Sequence, residues 1–173
     1  GRLGRTAQSV AGTTYGSRRD ALALIEHVKD IHGRVHGIAP DGRPYSANDP
    51  DLLTWVHVAE MSSFLAGYLR YVDGSLSGAR QDQYFAETAL VAELLGARDV
   101  PKSRAAVQAY LNAMRAELLA SERTREVVAV LMAWQAPRPA LQPAVRIFLD
   151  AGIQLLPPWA IQMLDLKRPP LQA

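Results

Sequence analysis

Four histidines, His27, His32, His36 and His57, carry most of the chemistry this sequence could perform. Imidazole binds metals in its neutral form and exchanges a proton near neutral pH. At about 100° per residue, Leu24, Ile25, Val28, Ile31 and Val35 form one apolar stripe on a helix, and His32 lies roughly 50° from its centre. His27 and His36 fall at the flanks, about 90° away. His32 is therefore the histidine expected to face inward. Two roles remain open for it: a core histidine hydrogen-bonded to a neighbour, or a ligand to a metal or haem iron. Geometry by itself favours the first. Gly33 beside it costs a helix roughly 1 kcal/mol relative to alanine. That glycine admits either a flat ligand or a second helix close to the backbone.

His57 stands in Trp55-Val56-His57, with Glu60 three residues on and Met61 four residues on. An inward His57 could donate a ring hydrogen to a carboxylate, as groups supporting a metal site do. The plainer reading pairs it with its own Glu60 on a helix flank. Arg2 and Thr6 are four apart and share a helical face. A guanidinium and a hydroxyl there could clamp a carboxylate or polarise bound oxygen, and a solvated helix start is the plainer alternative. Glu87, on an aromatic-rich helix, is expected to pair with an arginine.

The elements that position these groups are helical. Strand signals are nearly absent, because no stretch alternates apolar and polar residues for long. The first helix is the stretch from Arg2 to Tyr15, stopped by Gly16. Ser17 and Asp20 cap a second, predicted to run to about Gly37. A turn-rich loop, Ala39-Pro40-Asp41-Gly42-Arg43-Pro44-Tyr45, follows. Asp49-Pro50 opens a third helix to about Val72, and Ser77 a fourth to Leu95-Gly96. Ser103 caps a fifth to about Leu119, Thr124 to Trp134 is a sixth, and Pro143 to Leu156 a seventh. Pro157-Pro158-Trp159 starts a short eighth. The expected fold is an all-α, single-domain bundle of about eight helices over 1–173.

Composition removes several classes of function. With no cysteine, disulfides, zinc–thiolate sites, iron–sulfur clusters and thiol nucleophiles are excluded. A net charge of +2 without a basic stripe gives no nucleic-acid footprint. No apolar run reaches the ~20 residues a membrane helix needs, so a soluble, cytoplasmic protein is expected. Dinucleotide, P-loop, zincin and nucleophile-elbow motifs are missing, as is the Glu-x-x-His of di-iron carboxylate proteins.

Several segments, in order, do more together than singly. They are Arg2-Leu3-Gly4-Arg5-Thr6, Tyr15-Gly16 and Val28-Lys29-Asp30-Ile31-His32-Gly33-Arg34-Val35. Then come Asp41 through Pro50, Leu53-Thr54-Trp55-Val56-His57, Glu87 through Gly96, Val100-Pro101 and Leu155-Leu156-Pro157-Pro158-Trp159. This series resembles the MpaB / rubber-oxygenase (latex-clearing protein) catalytic-domain family, across essentially the whole chain. The resemblance implies a globin-like helical core, haem b held by one histidine, and dioxygen-dependent cleavage of carbon–carbon double bonds. It implies further that one to three helices precede the Arg2 segment in the complete protein.

Carried over by motif, His32 matches the axial haem ligand and so the metal-binding residue, with Gly33 and His36 beside it. Arg2 and Thr6 match polar groups near the haem pocket, and Arg5 matches a basic position in charge. His57 joins Arg2 and Thr6 as a candidate catalytic group. His36 stands where relatives more often carry arginine, making it a second candidate ligand, and Trp55-Val56-His57 is typical of the uncharacterised bacterial branch rather than of the rubber-cleaving branch. The expected partners are dioxygen and a small apolar substrate, isoprenoids included, with no nucleic acid and no membrane span; homo-oligomerisation is left open. The rivals are a non-catalytic helical ligand-binding or sensor domain, and a non-haem metal enzyme using His32, His36, His57 and Glu60.

Overall fold

Side-chain caps set most of the helix starts. The computed structural model describes residues 2–39 and 41–170, with side chains from residue 4 onward. Helix α1 spans Arg2–Tyr15, and α2 spans Arg18–His32 with the Ser17 hydroxyl accepting from the Asp20 amide. α3 (Pro50–Tyr71) starts at Asp49, whose carboxylate accepts from the amides of Asp51 and Leu52. α4 (Gly78–Leu95) starts at Ser77 and stops at Gly96, whose φ of 114° suits a residue without Cβ. α5 is Arg104–Met114; α6 (Glu122–Met132) opens on a reciprocal Ser121/Thr124 box. A 3₁₀ turn at Pro139–Leu141 leads into α7 (Gln142–Leu155), and α8 is Pro158–Met163. Among the described residues the fold is thus all-α with eight α-helices, as the sequence predicts.

The second helix is shorter than its apolar pattern suggests, and this bears on the site. It ends at His32, five residues before Gly37. A turn through Arg34 and Val35, whose amides donate to the Ile31 and His32 carbonyls, leads into strand β1 (His36–Ile38). β1 pairs antiparallel with β2 (Pro44–Ser46), His36 opposite Ser46 and Gly37 opposite Tyr45. The Asp41 carboxylate closes the turn by accepting from the Arg43 amide at 3.1 Å and side chain at 2.7 Å. Gly42 takes φ 84°. Three-residue strands are too short to show alternation, and Val35 joins the helical stripe only by spacing.

The chain divides into two compact units, 1–112 and 113–173. In the first, α3 and α4 form a hairpin whose seam is built on small residues. Ala89 and Ala92 pack with Leu53, Ala97 and Val100. Farther along, Val58, Leu65, Phe85 and Val107 form a second cluster. Small side chains let the helix backbones approach closely, which gains dispersion contacts. Thr54, 3 % exposed, bolts the segment after α4 onto α3. Its hydroxyl accepts from the Arg98 amide at 3.2 Å, and its single proton is shared by the Arg98 and Pro50 carbonyls at 2.8 and 2.9 Å.

α1 and α2 form another hairpin around Gly16–Ser17, with Gly12 lying directly under Leu24. A Cβ at Gly12 would collide with the Leu24 Cδ1. In the second unit, Val145, Ile153 and Ala160 are buried, and the Arg115 guanidinium stacks 5.2 Å from the Trp159 ring centroid.

Candidate functional site

The α1–α2 turn decides which candidates share one end of the molecule. Because the chain reverses at Gly16–Ser17, the start of α1 lies at the same end of the hairpin as the close of α2. Thr6 and His32 therefore belong to one end. Thr6 is exposed on α1. The Arg2 side chain lies outside the described residues, so its role stays with the sequence.

His32 is half-buried in the last turn of α2. The face of α2 that turns inward is centred on Ile25, which is 3 % exposed, whereas Ile31 is 45 % exposed. Seven residues are nearly two whole turns, so His32 sits on the Ile25 face. Its Nδ1 is shielded from water and has no hydrogen-bond partner among the described residues. Burial also pushes the imidazole pKa below 6.5, so the ring is neutral at physiological pH. A neutral ring with an unfilled polar position is what a ligating histidine requires. A shielded nitrogen without a partner is correspondingly costly in a purely structural role.

Gly33 has ordinary right-handed helical dihedrals, φ −59° and ψ −18°, so no backbone strain calls for glycine. A Cβ there would meet nothing closer than 3.5 Å, and the residue is exposed. No helix among the described residues packs closely on it, and its neighbour from outside α2 is the Asn48 side-chain nitrogen, 3.7 Å from where a Cβ would lie. His36, expected one turn along the same helix, is instead exposed on β1. Its side chain follows the pleat of the hairpin and shares no helical face with His32. His27 is exposed on α2.

His57 is half-buried in the second turn of α3. Burial lowers its pKa, and attraction to Glu93 of α4 opposes that in part. Glu93 also binds Lys102 at 2.7 Å. The carboxylate acting on His57 is thus Glu93, on the neighbouring helix, rather than Glu60. Glu60, whose pKa is raised by burial, acts on Tyr84. The Tyr84 hydroxyl, pushed up to about 12 chiefly by burial, donates to the Met61 carbonyl at 3.2 Å. Glu87 accepts from the Gln83 amide at 2.7 Å rather than from an arginine. No signal in the sequence marks the influence of Glu93 on His57, because it depends on how α3 and α4 pack.

Among the described residues no three His, Cys, Asp or Glu side chains are grouped to hold a metal ion, so His32, His36, His57 and Glu60 do not form the non-haem cluster. The residues fit a group that needs one protein ligand: His32 offers the unfilled nitrogen, and the exposed Gly33 beside it adds no side chain. Between α2 and α4 lies an apolar groove of about 490 Å³, walled by Ala21, Leu22 and Ile25 on one side and Leu90, Val91 and Leu94 on the other. Arg18 and Glu93 stand at its edges. No described helix is long and apolar enough to cross a membrane.

The model of the family described as "ER-bound oxygenase mpaB/B'/Rubber oxygenase, catalytic domain" matches residues 1–173. Searches of curated proteins and of solved structures returned no match.

Proposed function

The chain belongs to this oxygenase catalytic-domain family, and from that premise we propose that it is a haem-dependent oxygenase acting on a small apolar substrate, isoprenoids included, with His32 as the axial ligand. The observation that carries the reading is the His32 Nδ1, which is shielded from water and has no hydrogen-bond partner among the described residues. A bound haem b would supply redox-active iron for activating dioxygen.

The remaining work falls to the chain's own side chains. His32, kept neutral by burial, holds a lone pair free at neutral pH. Its place at the end of a capped helix fixes the ring's direction. Gly33 keeps the adjoining side clear of a Cβ. Arg2 and Thr6, four apart on α1 at the same end of the hairpin, supply a cation and a hydroxyl for polar groups of substrate or dioxygen. His57, kept largely neutral by burial that outweighs the pull of Glu93, serves as a group able to accept a proton from substrate or bound oxygen. The apolar walls of α2 and α4 exclude water from a hydrocarbon chain.

Haem extraction and iron assay on the full-length protein test the reading. One haem per chain supports it. An iron-free protein, after expression with haem precursor supplied, overturns it.

A further inference from the structure

The groove between α2 and α4 has a property that the oxygenase reading does not use: it is apolar along its length and carries one uncompensated cation. Arg18 has no ion-pair or hydrogen-bond partner among the described residues, whereas Lys29 on the same helix is bound to Glu26 at 3.0 Å. Across the groove, Glu93 is neutralised by Lys102 at 2.7 Å. The net electrostatic bias at the groove's edge is therefore positive, beside exposed Leu22, Leu90 and Leu94.

Helix geometry gives the groove a direction. At about 100° per residue, Arg18, Ala21, Leu22, Ile25, Lys29 and His32 share an arc of roughly 100° on α2. The groove's α2 wall runs from Arg18 to Ile25, and His32 lies about two turns beyond Ile25, about 20 Å from Arg18 along the axis. A ligand lying on this arc would meet the free Arg18 cation first, then the apolar side chains up to Ile25, then Lys29, already paired with Glu26, and the histidine.

We propose that this groove binds a linear amphiphile, a hydrocarbon chain ending in a carboxylate, with the carboxylate on Arg18 and the chain running along α2 toward His32. The proposal rests on the oxygenase reading only in the use it gives the His32 end. Burying the chain on Ile25, Leu90 and Leu94 supplies affinity through the hydrophobic effect, and the Arg18 guanidinium selects the charged head.

Isothermal titration of the full-length protein with dodecanoate and with dodecan-1-ol, both below their aggregation limits, tests it. Dodecanoate is expected to bind at one site and about fivefold more tightly than the alcohol, the scale of a partly exposed ion pair. Arg18→Gln should abolish that preference while leaving alcohol binding unchanged. Leu90→Asp, at an exposed position, places a carboxylate in the groove and should weaken dodecanoate binding at least fivefold. Absence of saturable binding, a preference that survives Arg18→Gln, or indifference to Leu90→Asp would each overturn the proposal. Calorimetry needs no haem, so a failure here leaves the iron assay standing, and an iron-free protein leaves this result standing.

Discussion

Replacing His32 by leucine separates a ligand from a structural histidine, because the two roles predict opposite signs. A buried polar atom without a partner costs about 1–3 kcal/mol relative to a satisfied one. In His32 only one ring nitrogen is orphaned and the residue is half-buried, so the low end applies, about 1 kcal/mol. Leucine keeps apolar contact on the Ile25 face and removes the orphan. The haem-free protein should therefore unfold at higher urea, with its unfolding free energy raised by about 1 kcal/mol and its thermal midpoint by roughly 2–4 °C. Urea titration followed by far-UV circular dichroism reads this out, and haem uptake by the same variant should be lost. A His32→Leu protein that is less stable by 1 kcal/mol or more would refute the reasoning, since it would mean that the ring is held by bonds of its own.

Two further outcomes follow from the packing. Thr54→Val keeps the shape of a buried side chain but strips the Arg98 amide and carbonyl of their partner, and should cost about 1–3 kcal/mol in urea unfolding, with Thr54→Ser retaining most of the bond. For His57, burial sets the folded pKa below 6.5, so as pH falls past about 6.5 the unfolded chain takes up the proton first and stability declines until the folded pKa is passed. His57→Gln should flatten that part of the stability curve between about pH 7 and pH 5. Glu60 works in the opposite sense: its raised pKa lets the folded state bind its proton first on acidification, so an added Glu60→Gln removes a gain rather than a loss.

Where a signal is local, the sequence carries it. Ser17, Asp49 and Ser77 cap the helices they are expected to cap, and Gly96 ends α4 in the left-handed conformation. Each depends on side chains within a few residues of the backbone groups they satisfy. The β1–β2 hairpin was hidden because two three-residue strands show no period, and a valine placed at helical spacing looks like the next turn. The inward turn of His32 was legible from periodicity, although the true face is centred on Ile25 and leaves Ile31 exposed. His36 leaves the face of His32 because α2 stops at His32, where the apolar spacing predicts a further turn. The electrostatic pull of Glu93 on His57 and the hydrogen bonds of Thr54 to Arg98 involve residues far apart in the chain, and only the packing of α3 and α4 brings them near. The resemblance seen in the ordered segments reaches the same family as the match over residues 1–173.

The central claim is that His32 holds a haem iron, and the absorption spectrum of the full-length protein tests it most directly. A Soret band is expected that disappears in His32→Ala and persists in His36→Ala, because His36 lies exposed on β1. A Soret band that survives His32→Ala, or a wild-type protein that stays colourless after haem is supplied, would contradict it.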